Sequence, residues 1–327
     1  MDEVGEHELT LVTRKPCFGL PTSCPSCLPV YIYLRFSKIP FNMSFNLIHP
    51  DSDQIPFVES GGYVAYNNEK GGVIESLKED GILDLDSEFH AVPEWLSTKA
   101  MVNSWLADAL LYELWLGCDG SSAHKIYYTD LPWPIGKVLF FKQNHAVKQL
   151  LGINKDNVER RETEIYRKAA LAYGALSTRL GEQTFLFENR PTSLDALFLS
   201  HALFTLQALP ETSVLRSKFL EHNNLVRYAE ELKTQFVEAA SSSSSIPPCH
   251  SGPSSSAPRR GPSNWSSKRK SKPKREKTEE EKTFRRRAKY FLVTQLVAVL
   301  VFLSLLGGSN DGEVELDDDE DGLDYND

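Results

Sequence analysis

The chain has 327 residues, 41% apolar and 25% charged, an ordinary globular balance with a prior of about two domains. Its formal net charge of −9 hides three blocks: 14 Lys/Arg against 4 Glu over residues 241–289, 10 Asp/Glu and no base over 307–327, and an acidic remainder. An acidic folded part argues against nucleic acid as the main partner, and an odd count of five cysteines fits reduced thiols rather than a disulfide framework.

The opening stretch MDEVGEHELT carries four acids, no Lys or Arg and no apolar core. It reads as neither a secretory signal nor a cleavable organelle leader, so synthesis into the cytosol is expected. Residues 9–12 (LTLV) predict a short strand, followed by a loop rich in Pro, Gly and Ser. Residues 29–37 (PVYIYLRFS) predict a helix with Pro29 at its first position. Residues 41–47 (FNMSFNL) alternate as a strand does, and Pro56 stands just before another strand candidate. Gly61-Gly62 predicts a turn, residues 63–65 a strand, and residues 72–80 a short helix ended by Gly81. The order β-α-β-β-β-α over residues 1–90 is that of a thioredoxin-like domain. In that fold a cis-proline precedes the third strand; Pro56 is the candidate, with an ordinary trans loop proline as the alternative.

From Pro93 the texture becomes all-helical, with helices predicted over 93–116, 134–151, 155–180, 193–209 and 224–238. Within this half, Thr192 and Asp195 have the spacing of a capping box. The Thr192 oxygen accepts from the Asp195 amide, and the Asp195 carboxylate reaches back to the Thr192 amide. Taken alone, that is a generic helix start. Residues 241–284 are a basic linker rich in Ser, Pro and Lys; such a composition predicts disorder and a mean reach of about 35 Å at roughly 5–6 Å × √n.

Residues 290–306, YFLVTQLVAVLVFLSLL, hold twelve Leu, Val or Phe and no charge. At about 1.5 Å per residue the run spans roughly 25 Å, enough for a short membrane helix. Its apolar residues favour insertion by about 5 kcal/mol in all. Tyr290, Leu296, Leu300 and Leu306 mark the anchor. Arg285, Arg286, Arg287 and Lys289 form the flank whose long side chains reach the headgroups. The competing reading is a buried core helix. A single span over 285–307, with no leader before it, predicts a tail anchor with the bulk of the chain in the cytosol. Residues 308–327 then form an acidic tail on the far side. That tail is read as solvated, with attraction for basic presequences as the lesser alternative.

Cys24-Pro25-Ser26-Cys27 has the CPxC pattern of glutaredoxins, where a thiolate at a helix start is stabilised by the dipole. The long loop before it, and Pro29 as the first helical residue, leave Cys24 short of that position. The redox pair Cys24 and Cys27 is therefore the alternative to structural cysteines. The histidines show no metal-ligand spacing, and no phosphate loop or GxSxG is present. The basic run 268–275 reads as a solvated linker drawn to anionic lipid rather than a nucleic-acid patch.

The stretches CPSCLPVYIYLRF (24–36), PFVESGGYVAYNNEKGGVIESLK (56–78), KIYYTDLPW (125–133), LGEQTFLFENRPTSLDA (180–196) and LVRYAEELK (225–233), in that order with the C-terminal span, resemble the metaxins, and among them the plant type. The resemblance covers residues 8–238 and implies a glutathione-transferase-like fold: a thioredoxin-like domain over 1–90 and an all-helical domain over 91–240. It further implies a non-enzymatic adaptor of the mitochondrial outer membrane, without cofactor, acting in precursor import and in sorting and assembly of β-barrel proteins. The implied partners are mitochondrial precursor proteins, β-barrel sorting and assembly subunits or a second metaxin-like subunit, and membrane lipid. The alternative is a membrane-anchored glutathione-dependent transferase or glutaredoxin-like thiol enzyme. Against the transferase stands the place of the acidic–Ser pair that holds the γ-glutamyl group. This sequence has Tyr66-Asn67-Asn68 there, and Glu59-Ser60 falls too early.

Overall fold

The structure, a computed structural model, describes residues 9–46, 53–238 and 294–295. One compact unit, Met1–Cys249, contains all but the last two of these; of the second, His250–Asp327, only Thr294 and Gln295 are described, both helical.

The first unit begins with a four-stranded sheet in the order β2-β1-β3-β4. Strand β1 (Leu9–Thr13) turns its apolar residues inward, with Leu11, Val12 and Thr13 buried. It pairs in parallel with β2 (Phe41–Phe45), Leu9 opposite Phe41. A parallel pair requires a crossover, supplied by α1 (Cys27–Ser37). Nine of the eleven α1 residues are buried, so this helix has no wet face. Lys38, at φ 60°, ends it by taking the left-handed conformation. Strands β3 (Phe57–Ser60) and β4 (Tyr63–Tyr66) complete the sheet as an antiparallel hairpin through the Gly61-Gly62 turn. Helix α2 (Val73–Glu79) closes this half. The arrangement is thioredoxin-like, as the sequence predicts, and the Ile55–Pro56 peptide bond is cis.

The second half is helical. The predicted helix over 93–116 is instead α3 (Pro93–Met101), a π-helical segment Val102–Leu106, α4 (Ala107–Tyr112) and a second π-helical segment Glu113–Gly117, continuous in backbone. Each π segment is a widened turn that shifts the apolar stripe out of 3.6-residue phase. Helices α5 (Ser121–Tyr127) and α9 (Val214–Leu220) have seven residues each, too few to show a period, and were not predicted. The remainder is α6 (Ile135–Leu150), α7 (Val158–Leu180), α8 (Ser193–Gln207) and α10 (Asn223–Leu232), the last continued by a π-helical segment, Lys233–Glu238. No strand follows Tyr66 among the described residues.

One apolar core runs through both halves, with α1 packed on the equally buried α8. Phe36 of α1 meets Phe236 edge-on at 4.8 Å, which ties the last segment to the first helix. Tyr290, Leu296, Leu300, Leu306 and the flank Arg285, Arg286, Arg287 and Lys289 lie outside the described residues, as do the linker and the acidic tail. Among the described residues no helix is long and apolar enough to cross a membrane.

Candidate functional site

Two places adjoin the α1 start: a buried thiol cluster and an open cleft. The thiol cluster owes its shape to the loop after β1. Thr22 Oγ1 donates to the Arg14 carbonyl at 2.9 Å, and Ser23 Oγ to the Lys15 carbonyl at 3.0 Å. These two hydroxyls fold the long loop back, so Cys24 returns to the end of β1 beside Arg14. The Cys24 carbonyl then accepts from the amides of Cys27 and Leu28, both at 3.1 Å. That turn starts α1 at Cys27, which makes Pro29 the third helical residue rather than the first.

Cys24 is 3% exposed and Cys27 fully buried, packed with Ile55. The Cys27 thiol donates to Cys24 and, with help from Arg14 against the cost of burial, holds the Cys24 pKa down at about 5. Burial pushes Cys27 the other way, and the neighbouring Cys24 charge reinforces it. The Tyr127 hydroxyl lies 3.7 Å from Cys24 Sγ, and the Arg14 guanidinium sits 4.8 Å from the centre of the Tyr127 ring. Burial disfavours the Arg14 charge, but Cys24 more than offsets this and its pKa is raised. The result is a buried thiolate–guanidinium pair, with Cys24 3% and Arg14 7% exposed.

The cleft borders the same turn, with a volume of about 530 Å³, and Tyr127 lines it as well as touching Cys24. Pro25, Ser26 and Val30 line one wall, with the α2 start, Gly72 to Glu75. Val102, Leu110, Leu114 and Trp115 form the other, and His201 lies at the base. Neither cysteine lines it. His201 Nε2 and the Tyr173 hydroxyl are 2.7 Å apart, and burial lowers the His201 pKa to about 3, so the ring is neutral. Ser200 Oγ is committed to the Leu197 carbonyl at 2.7 Å. The cleft thus offers apolar surface with polar edges, among them Asn67, Asn103 and Asp108.

The structure also moves the expected γ-glutamyl position. β4 ends at Tyr66, but α2 begins only at Val73, capped by Gly72 at φ 105°. The residues at the helix start are therefore Gly72-Val73, which supply no acid–hydroxyl pair. Tyr66 packs on Phe57 with ring centres 5.4 Å apart, and Asn67 Nδ2 donates to the Asp53 carbonyl at 3.3 Å. Glu75 is held by Lys99 at 2.6 Å and Lys78 at 3.1 Å.

Thr192 and Asp195 cap α8. The Thr192 amide and hydroxyl donate to Asp195 Oδ2 at 3.0 and 2.8 Å, while Oδ1 accepts from the Leu186 amide at 2.8 Å and the Tyr228 hydroxyl at 3.0 Å. The carboxylate therefore joins the α7–α8 loop, α8 and α10, more than a local cap does. Burial raises its pKa in spite of these donors. A second carboxylate at the same helix end had no sequence signal. Asp86 Oδ1 accepts from the Ser193 amide at 2.8 Å, Oδ2 from the Ser193 hydroxyl, and Lys78 Nζ lies 2.5 Å from Oδ2.

Two family models match the chain: "Glutathione S-transferase N-terminal domain" over residues 25–120 and "Glutathione S-transferase, C-terminal domain" over 169–232. The Arabidopsis thaliana protein named "Mitochondrial outer membrane import complex protein METAXIN" is 60% identical over 312 residues, 95% of this chain and 97% of its own length. The chain belongs to the metaxin family. Human Metaxin-2 is 27% identical over 64% of this chain and 81% of its own, and mouse Metaxin-1 28% identical over 66% and 71%. The metaxin fold here is therefore a glutathione-transferase-like body whose thiol pair is buried beside its cleft, with Tyr127 touching Cys24 and lining the cleft.

Proposed function

We propose that the chain acts as a non-enzymatic adaptor of the mitochondrial outer membrane, in precursor import and in sorting and assembly of β-barrel proteins. The observation that carries this is the 60% identity along almost the whole length of a relative named as an outer-membrane import complex protein. Two features of the body support it. Cys24 is buried and does not line the cleft, and the α2 start lacks the acid–hydroxyl pair that holds glutathione. The cleft serves as the client surface, with precursor proteins, β-barrel assembly subunits and a second metaxin-like subunit as its partners.

Residues 285–307 anchor this body as a single span, with the flank Arg285, Arg286, Arg287 and Lys289 on the cytosolic side. Residues 241–284 tether the body to the span, and 308–327 lie beyond it. Deleting 290–306 is expected to release the protein from mitochondrial membranes on carbonate washing and to slow precursor import into mitochondria that carry only the deleted form. A truncated chain that stays in the washed membrane removes the anchor from the account; normal import removes the adaptor role.

A further inference from the structure

Helix α6 is attached by a narrow face. Only Gly136 and Val147 of its sixteen residues are buried. Phe140 holds it from inside, its ring 5.9 Å from Trp115 and 6.1 Å from Tyr128. Gly120, opposite, has no room for a β-carbon beside the Phe140 ring. The outward side carries Ile135, Val138 and Phe141, with Trp133 just before the helix; Trp133 is 75% and Phe141 68% exposed. Four lysines (137, 142, 148 and 155) and no Asp or Glu stand between Asp130 and Asp156, in a chain of net charge −9. Asp130 itself is paired with Lys15. Lys137 Nζ lies 5.9 Å from the Trp133 ring centre, so charge and indole share one edge.

We propose that this face of α6 rests on an anionic phospholipid surface. Trp133, Val138 and Phe141 enter the headgroup layer, and Lys137, Lys142 and Lys148 meet lipid phosphates. Indole and benzyl groups flanked by lysines suit that boundary, where one end of a side chain is apolar and the other wet. The lysine stems lie along the apolar wedge while their ammonium groups reach out. A wedge of four apolar side chains is small beside the ~800 Å² per partner of a stable protein interface. It suffices for a surface that a tether already holds close, because the second contact is then intramolecular. The inference rests on the proposed membrane location.

The test uses the full chain with Phe141→p-benzoylphenylalanine, reconstituted into phosphatidylcholine vesicles with or without phosphatidylglycerol, and irradiated. Phospholipid adducts at position 141 are expected only with the anionic lipid. Each base near such a surface is worth about a factor of five, so Lys137→Glu with Lys142→Glu is expected to lower adducts by roughly tenfold or more. Val138→p-benzoylphenylalanine gives a second probe should the first variant fold poorly. No lipid adducts from either probe, adducts indifferent to the lysine reversal, or protein adducts alone in isolated outer membranes would each overturn the proposal, the last assigning the face to a protein partner. The anchor is read separately: if carbonate washes the chain off, the anchor fails. Anionic-lipid adducts from the 290–306 deletion would then still uphold the role of α6.

Discussion

Cys24 combines a property that usually marks a reactive cysteine with a position that prevents reaction. Its pKa of about 5 means a thiolate at neutral pH. Yet the sulfur is packed between Cys27, Arg14, Tyr127 and Ile55, and it does not line the cleft. We expect a thiolate absorbance step near pH 5 in the native protein that Cys24→Ser abolishes and Cys27→Ala moves upward. Alkylation by iodoacetamide should nonetheless reach the half-exposed Cys17 before Cys24. The folded pKa lies below the unfolded value, so the Cys24 charge stabilises the fold fully above the unfolded pKa, about 8.5, and that contribution is lost as pH falls through about 5. Cys27, raised by burial, has the opposite sign: its contribution is present below the unfolded value and fades as pH rises. Rapid alkylation of Cys24 in the folded chain would contradict the buried geometry.

Among the elements, the join between α2 and α8 concentrates the energetics. Lys78 is 5% exposed and Asp86 fully buried, and Asp86 also meets both donors of Ser193 at the positive end of α8. Lys78→Met removes the only cation paired with that carboxylate among the described residues. Breaking a buried pair from one side costs about 3–5 kcal/mol, so the urea midpoint should fall sharply. The pair Arg190–Glu88, 2.7 Å apart nearby, is far more exposed, 39% and 66%, and Glu88→Ala should cost about 1 kcal/mol. Equal losses from the two variants would show that burial does not govern the join. This join had no sequence signal, because Asp86 and Ser193 are 107 residues apart and neither belongs to a motif. The Thr192–Asp195 spacing was legible, but the reach of Asp195 to Leu186 and Tyr228 was not, for the same reason of distance along the chain. Short-range patterns reveal strands, caps and long helices. The position of Arg14 beside Cys24 depends on Thr22 and Ser23 finding carbonyls eight residues back, which no local pattern records.

At the scale of the whole molecule, the sequence conveyed the two-part architecture because its texture changes at Pro93 from alternating to helical periodicity. It did not convey the cleft, which forms only when α1, α2 and the 102–117 run meet. Ala107 is exposed at the cleft wall, and Ala107→Trp should fill much of it. An exposed substitution of this kind is expected to shift stability by about 0.5 kcal/mol or less. Precursor binding, measured by crosslinking to the purified full chain, should fall while the urea midpoint holds. Unchanged binding would move the client surface elsewhere on the body.

Asp86 has a consequence for how such a groove can be used. A carboxylate shared by Lys78 on one side and Ser193 on the other pins α2 to α8 at that seam. Grasping by closure, as in a pair of jaws, would have to break that buried pair first. A client chain that did not fit the groove would meet that cost, unless it bent to match the width already there.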